Sequence, residues 1–130
     1  MSKTIIQLGD GRLSKSDILR KNSDFLYVKE QSKRYVGKYI VVNVVSAKDN
    51  RLKLGVIASR RFNRSAVVRN RAKRLIRESY RRLKVGIDPP IWIVIIARKY
   101  ISEAQLHSVQ QELIRLLIKA RVLTNYRPNT

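Results

Sequence analysis

The stretch RNRAKRLIRESYRR, residues 69–82, decides how the rest of the chain must be arranged. It carries seven positive side chains against a single carboxylate, and its apolar residues recur at helical spacing. On a helix that turns by about 100° per residue, one sector collects only small or apolar side chains. Those side chains are Val68, Ala72, Leu75, Ile76, Ser79 and Leu83. The pattern therefore predicts an amphipathic helix that buries one face and presents a cationic surface elsewhere.

This helix and the loop before it are far more basic than the rest of the chain. Residues 59–84 contain nine Arg, two Lys and one Glu, in a 130-residue chain of net charge +20. A surface that serves only solubility would mix Lys with Glu. Arginine instead matches phosphate oxygens with its planar fork and stacks on bases. We therefore expect a polyanionic partner, with Asn70 and Tyr80 adding a hydrogen-bonding amide and a stacking ring.

Strand patterns precede the basic helix. The runs YIVVNVVS at 39–46 and RLKLGVIA at 51–58 are rich in β-formers, and the polar AKDN between them suits a tight reversal, which predicts a β-hairpin. KRYV at 33–36 predicts a short edge strand. Residues 17–31 follow helical spacing, with Ser16 or Asn22 as a possible N-cap, and predict a first helix.

After the basic helix, VGIDPP at 85–90 ends helical structure, and IWIVIIA at 91–97, apolar on both faces, predicts a central strand. A last helix is predicted from the apolar stripe Val109, Leu113, Leu116, Leu117 and Ala120, with Ser102 and Gln105 as a capping box. The predicted fold is an α+β sandwich in the order helix, short strand, strand, strand, helix, strand, helix. One domain is expected over 17–123, between a loose segment at 1–16 and a flexible tail at 124–130.

Several classes of function are excluded or disfavoured by composition. The chain has no cysteine, which excludes disulfides and thiolate zinc sites. Its single histidine, His107, falls within the last helix, its acids are scattered, and no glycine-rich phosphate loop is present. The longest apolar run is too short to span a bilayer. We therefore expect no catalytic or metal-binding residues in this chain, and a cytoplasmic location.

From residue 59 to 82 the sequence SRRFNRSAVVRNRAKRLIRESYRR closely resembles the protein subunit of bacterial ribonuclease P. The hallmark of that family is an ArgAsnArg motif followed by a basic helix, here Arg69, Asn70 and Arg71. Agreement extends to LRKNSDF at 19–25, LGVIAS at 54–59 and IIARK at 95–99. The resemblance therefore covers most of the chain in order.

The resemblance implies a fold, a function and partners. The fold would be shared with ribosomal and elongation-factor domains, in which the crossover between parallel strands is left-handed, against the general rule. In this family a catalytic RNA uses magnesium to remove the 5′ leader from precursor tRNA, while the basic protein binds both the RNA subunit and the leader. The expected partners are thus an RNA subunit and precursor tRNA, without DNA or membrane, and the protein is expected to be monomeric in the complex. No cofactor is expected on the protein, whereas the holoenzyme requires magnesium.

The same resemblance assigns residues to two RNA-binding sites. Contacts with the RNA subunit are expected from Arg60, Arg61, Arg69, Asn70, Arg71, Lys73, Arg74 and Arg77. The leader is expected in a cleft between the first helix and the sheet, with Phe25 as a stacking ring and Lys53, Arg98 and Lys99 as phosphate partners. The chain departs from its relatives at Lys29 and Asn43, where they place aromatic rings. Weaker stacking is therefore expected, with Tyr27, Tyr35 or Tyr39 as possible substitutes.

Two other functions are compatible with such a charge. A structural ribosomal protein would bind rRNA without assisting a reaction, and composition alone does not separate it from a ribonuclease subunit. A cationic helix on a membrane surface is the weaker alternative, because it would need bulky apolar residues on its inner face, where Val68, Ala72 and Ser79 stand.

Overall fold

The computed structural model describes residues 13–88 and 90–123, and its elements follow the predicted order. Short 3₁₀ turns lie at Lys15–Asp17, Lys84–Gly86 and Lys99–Glu103. The helices and strands are α1 (Asn22–Gln31), β1 (Lys33–Val36), β2 (Ile40–Ser46), β3 (Lys53–Ile57), α2 (Ala66–Leu83), β4 (Ile91–Ala97) and α3 (Leu106–Lys119). No helix within the described ranges is long and apolar enough to cross a bilayer.

The four strands form one mixed sheet in the order β1-β2-β4-β3. β4 pairs antiparallel with β2, from Ile40↔Ala97 to Ser46↔Ile91, and parallel with β3, from Lys53↔Trp92 to Ile57↔Ile96. The prediction of a hairpin between β2 and β3 is therefore wrong, because β4 lies between them. A strand that is apolar on both faces buries most surface in the interior of a sheet. The β3–α2–β4 unit joins parallel neighbours, consistent with the crossover that the resemblance implies.

The sheet separates two hydrophobic layers. Alternate residues of β4, Ile91, Ile93, Ile95 and Ala97, belong to the larger core with α2 and α3, where Leu113, Leu116 and Leu117 are buried as predicted. The intervening residues Trp92 and Val94 belong to the smaller core, on the face that α1 covers. The basic helix and α1 therefore lie on opposite faces of the sheet.

Three details at helix ends differ from the predictions. The first helix begins at Asn22, with Lys21 at its N-cap, because the residues before it extend the sheet: the Leu19 N–H donates to the Leu54 carbonyl at 2.9 Å. The capping box in this region is Ser14 with Asp17, on the 3₁₀ turn. Ser102 lies in the turn before α3 and does not cap that helix.

The predicted domain limits remain predictions. Residues 13–17 are described, with Leu13 packed against the larger core. The remainder of the predicted loose segment, residues 1–12, and the predicted tail, residues 124–130, lie outside the described residues.

Candidate nucleic-acid interface

The basic helix α2 is fixed by its buried face and by its first turn. Ala72, Ile76, Ser79 and Leu83 are buried, as predicted. The Val68 N–H donates to the side chain of the N-cap Ser65 at 3.4 Å. Asn70, Arg74 and Arg77 are exposed on the opposite surface. The helix thus holds a cationic surface in solvent on a rigid support.

Tyr80 is not part of that surface. Its side chain is 0 % exposed, so the prediction of a stacking ring at this position is wrong. The buried sector of α2 extends past the predicted one because α3 also packs on the helix. Burial, with a smaller contribution from the Asp17 carboxylate, raises the pKa of the Tyr80 hydroxyl. That hydroxyl has no hydrogen-bond partner among the described residues.

Two arginines of the ArgAsnArg motif are bound to the protein's own backbone. Arg69 donates to the carbonyls of Asn63 and Arg64, at 3.2 and 2.8 Å. Arg71 donates to the carbonyls of Ser102 and Ala104, at 3.2 and 2.7 Å. Each guanidinium therefore keeps its full charge while it ties α2 to a neighbouring loop, since neutral carbonyls rather than carboxylates accept its hydrogen bonds.

The one carboxylate of α2 is occupied by the last turn of the helix. Glu78 accepts hydrogen bonds from Arg81 at 2.6 Å and from Arg82 at 3.2 Å. These bonds, first that from Arg81, outweigh burial and lower the pKa of Glu78. Within the part of the chain that the structure describes, Arg74 and Arg77 form no ion pair. Their charge is thus available to an external anion.

A second group of arginines surrounds a concave surface before α2. Arg60, Arg61, Arg64 and Arg69 line a cavity of about 840 Å³ together with Ala66. The first three are exposed. On the other side of α2, Arg71, Arg74 and Arg77 line a depression of about 510 Å³ beside the start of α3. The arginines of these two concave surfaces, with Asn70 and Lys73 of α2, are called the basic band below.

The other face of the sheet carries a cleft of about 550 Å³ beneath α1. Phe25 forms one wall, as the resemblance implies, and its ring lies directly on the backbone of Gly55. A Cβ at position 55 would lie 2.6 Å from Phe25 Cε1, so a glycine is needed for this close approach. Val94 and Ile96 of β4 also line the cleft. The ring is therefore held firmly at the edge of an apolar floor.

The polar lining of the cleft comes from Lys29, Ser32, Arg34 and Asn43. Asn43 is 7 % exposed and lies between Arg34 of β1 and Val94 of β4 in the sheet register. Its side-chain amide makes no hydrogen bond to any described residue. Lys29 and Asn43, the two positions at which the resemblance implies a departure from the family pattern, thus both line the cleft. Sequence reasoning missed Arg34, which alternates along β1 with Tyr35, a residue packed against the larger core, and therefore lies on the cleft face.

The three predicted phosphate partners lie near the two ends of β4. Lys53 pairs with Trp92 in the register and is already bound to Asp49, with 2.5 Å between Nζ and Oδ2. Burial favours a higher pKa for Asp49, but hydrogen bonds from Lys53, the Arg51 backbone and Trp92 lower it overall. Arg98 and Lys99 are exposed just beyond the opposite end of β4. Six residues of strand, roughly 20 Å, therefore separate Lys53 from Arg98.

None of the three alternative tyrosines lines the cleft. Tyr27 packs edge-on against Trp92, with 5.6 Å between ring centroids, and Tyr35 faces the larger core. Tyr39 lies in the β1–β2 turn. Among the described residues, no three His, Asp or Glu side chains converge as ligands for a metal ion.

A rigid cationic helix on one face of a sheet and a cleft with one ring and several cations on the other define a small RNA-binding protein. The family model for ribonuclease P matches residues 13–121. The chain belongs to the ribonuclease P protein family. It is thus a subunit of the ribonuclease P holoenzyme in tRNA processing, with an RNA subunit as its partner, and the ribosomal alternative is not supported.

Individual relatives agree with this assignment. The ribonuclease P protein component of Listeria monocytogenes serotype 4b is 35 % identical over 112 residues, which cover 85 % of this chain and 92 % of the relative. That of Clostridium botulinum strain 657 is 37 % identical over 113 residues, covering 83 % and 97 %. The RNase P protein structure from Staphylococcus aureus matches with a TM-score of 0.75 and 28 % identity, over 85 % of this chain and all of that one. The structure from Thermotoga maritima matches with a TM-score of 0.69 and 32 % identity, covering 78 % and 94 %.

Proposed function

We propose that the chain acts as a bridge, with its RNA subunit bound on the α2 side of the sheet and the 5′ leader of precursor tRNA bound in the cleft on the α1 side. The observation that carries this proposal is the placement of two cationic surfaces on opposite faces of one sheet. A single protein domain can then hold a substrate strand against a folded RNA without contributing to bond cleavage.

The RNA-subunit surface consists of the basic band around α2. Its proposed members are Arg60, Arg61, Arg69, Asn70, Arg71, Lys73, Arg74 and Arg77. The exposed side chains Arg60, Arg61, Arg74 and Arg77 are free of carboxylates in the described structure and suit bidentate contacts with phosphate. Arg69 and Arg71 have a second task, because they also fix the helix to its neighbours.

The leader surface consists of Phe25 in the cleft, with Arg98 and Lys99 at one end of it and Lys53 at the other. Phe25 offers a ring face to a base, and Lys29 and Arg34 at the rim of the cleft offer charge to the flanking phosphates. Lys53 contributes only when a phosphate replaces Asp49 as its partner. Phe25, Arg98 and Lys99 therefore contribute more to the affinity for the leader than Lys53 does.

Magnesium and the chemistry of cleavage belong to the RNA subunit in this proposal. The protein raises the affinity for precursor tRNA and lowers the magnesium concentration at which the RNA is active, because its cations neutralise phosphates that magnesium would otherwise screen. The protein is monomeric within this complex, which works in the cytoplasm.

The test is a cleavage assay at limiting magnesium with the holoenzyme and two substrates, a precursor tRNA with its leader and one whose leader is cut to a single nucleotide. Replacing both Phe25 by Leu and Lys29 by Gln should raise KM for the full precursor by about thirtyfold or more, since each lost stacking or phosphate contact is worth about 1 kcal/mol or more. The truncated precursor should show no change. An equal effect on both substrates would contradict leader binding in the cleft. Lys119→Gln, on the far end of α3, is the matched control.

A further inference from the structure

Three cations and an exposed ring converge outside the cleft, at the end of β4. Lys38 comes from the β1–β2 turn, Arg98 and Lys99 directly follow β4, and Tyr100 lies in the 3₁₀ turn after them. Tyr100 is 47 % exposed, although it is a large side chain. The ammonium of Lys38 lies 5.8 Å from the centroid of the Tyr100 ring, and that of Lys99 lies 5.1 Å from it. These four residues are called the tyrosine platform below.

The turn that carries Lys38 is fixed by a buried carboxylate. Glu112 of α3 is 7 % exposed and accepts three backbone hydrogen bonds, from the N–H groups of Lys38 at 2.8 Å, Tyr39 at 2.7 Å and Ile40 at 3.0 Å. The carboxylate packs so closely on Gly37 that a Cβ there would collide with it. Glu112 also pairs with Arg115, with 3.6 Å between Nη2 and Oε2, and among the described residues it forms no ion pair with a platform cation.

Arg98 joins the turn to the end of β4. Its guanidinium donates to the Gly37 carbonyl at 2.6 Å, and its backbone N–H donates to the Tyr39 carbonyl at 2.9 Å. The backbone of the Lys38 turn and the guanidinium of Arg98 are thus held in place before any ligand binds, and preorganisation of this kind lowers the entropic cost of binding.

The platform has an excess of positive charge. Lys53 and Lys84 pair with Asp49 and Asp17, whereas the structure pairs none of the platform cations with a carboxylate among the described residues. Exposed cations beside a partly exposed aromatic ring are the combination that binds single-stranded nucleic acid, with phosphates on the cations and a base on the ring.

The platform lies just past the end of a strand that lines the cleft. Ile96 lines the cleft, and Arg98 follows it by two residues, in extended backbone after the end of β4, a distance of roughly 7 Å along the chain. A single strand that leaves the cleft past Ile96 therefore meets Arg98 next. We infer that the tyrosine platform is a second binding site for the leader, which holds the nucleotides beyond those in the cleft, with a base stacked on Tyr100 and phosphates bound by Lys38 and Lys99. This inference rests on the proposed binding of the leader in the cleft.

The test uses the holoenzyme with its own RNA subunit and a series of precursor tRNAs whose leaders range from about 2 to about 16 nucleotides, the span of single-strand sites of this kind. The variant replaces Tyr100 by Leu and Lys38 by Gln. Its affinity should match that of the wild type for the shortest leaders and fall at least about fivefold below it for the longest, because stacking of one base has roughly that value. Tyr100→Phe alone, which keeps the ring, should behave as the wild type at every length.

Other outcomes overturn the inference. An equal loss of affinity at every leader length, or weaker binding of the RNA subunit without precursor, would assign the platform to the RNA subunit or the tRNA body. No change at any length would leave the ring and cations without a role in binding. A different result would contradict leader binding in the cleft itself. In that case the affinity of the wild type for precursor tRNA would not depend on leader length, and Phe25→Leu would not change that affinity. Circular dichroism melting of each variant, with Lys119→Gln as the charge control, verifies the fold.

Discussion

At the scale of single residues, Tyr80 shows how burial changes the role of a side chain. Its ring fills the core between α2 and its neighbours, while its hydroxyl is the one fully buried side-chain polar atom without a partner among the described residues. A buried hydroxyl without a hydrogen bond costs about 1–3 kcal/mol. The residue is therefore a structural ring that carries an unfavourable polar atom.

Tyr80→Phe should raise the free energy of unfolding by about 1 kcal/mol, since it removes the unpaired hydroxyl and leaves the ring in place. Urea unfolding measures the difference. Binding of the RNA subunit by the variant should equal that of the wild type. A loss of binding would mean that Tyr80 contributes to RNA binding, and it would contradict the structural role inferred from its complete burial. Tyr100→Phe, on an exposed ring, is the control that should leave stability unchanged.

At the scale of elements, the 3₁₀ turn Lys15–Asp17 is tied to the end of α2. Asp17 accepts hydrogen bonds from the Ser14 N–H at 2.9 Å and from Lys84 at 3.1 Å. The bond from Ser14, opposed by burial and assisted by Lys84, lowers the pKa of Asp17. Because the pKa in the folded state lies below that in the unfolded state, Asp17 stabilises the fold above the unfolded value of about 3.9, and this stabilisation is lost as the pH falls through the folded value.

Asp17→Asn should therefore be less stable than the wild type at pH 7 and should lose less stability on acidification to about pH 3. Urea unfolding at neutral and acid pH compares the two proteins. Asp88→Asn, in the exposed turn before β4, is the matched control. If the free energy of unfolding changed with pH in the same way for Asp17→Asn and the wild type, the Asp17 carboxylate would not stabilise the turn.

The order of the elements could be read from the sequence because each leaves a local pattern. The alternation in β3 and the stripe in α3 depend on residues only a few positions apart. A local pattern does not predict which strand pairs with β2. The polar AKDN indicated pairing with β3, the next strand in sequence, whereas the structure pairs β2 with β4, some 50 residues further along the chain. The start of α1 was misplaced for the same reason, because Leu19 bonds to Leu54 rather than to its own helix.

The residues of the candidate site likewise comprise some that a local sequence pattern predicts and others that only the fold brings together. The exposed arginines of α2 follow from the helical period and the excess of charge. The tyrosine platform could not be predicted from the residues alone, because Lys38, Tyr100 and Glu112 are far apart in sequence and meet only in the fold. In the sequence Arg71 cannot be distinguished from the other basic residues of α2. Its hydrogen bonds to the carbonyls of Ser102 and Ala104 are seen only in the structure.

At the scale of the whole molecule, the concentration of charge on α2 gives a measurable dependence on salt. Replacing Arg60, Arg61, Arg74 and Arg77 by Gln should make the slope of log K against log salt concentration for the RNA subunit shallower by about 3.6, taking the coefficient for duplex DNA as a guide. Arg71 is left unchanged in this variant because its loss would also release the loop after β4. Equilibrium binding at several salt concentrations gives the slope.

The control for that measurement removes the same charge elsewhere, through Arg20, Lys33, Arg51 and Lys119, all exposed. These four substitutions to Gln should change the slope by less than about 1. Equal slopes for the two quadruple variants would mean that net charge, rather than the basic band, determines binding of the RNA subunit.

The position of β4 between β2 and β3 also determines when the protein can fold during its synthesis. Both strands that flank β4 leave the ribosome before it does; β2 can pair with β1, but β3 has no neighbour in the sheet until residues 91–97 are translated. The arginines of α2 emerge in the same interval, before the sheet that supports them is complete. The nascent chain therefore reaches its native topology late, and premature termination before β4 yields a strongly basic, unfolded polypeptide exposed to every RNA near the exit tunnel.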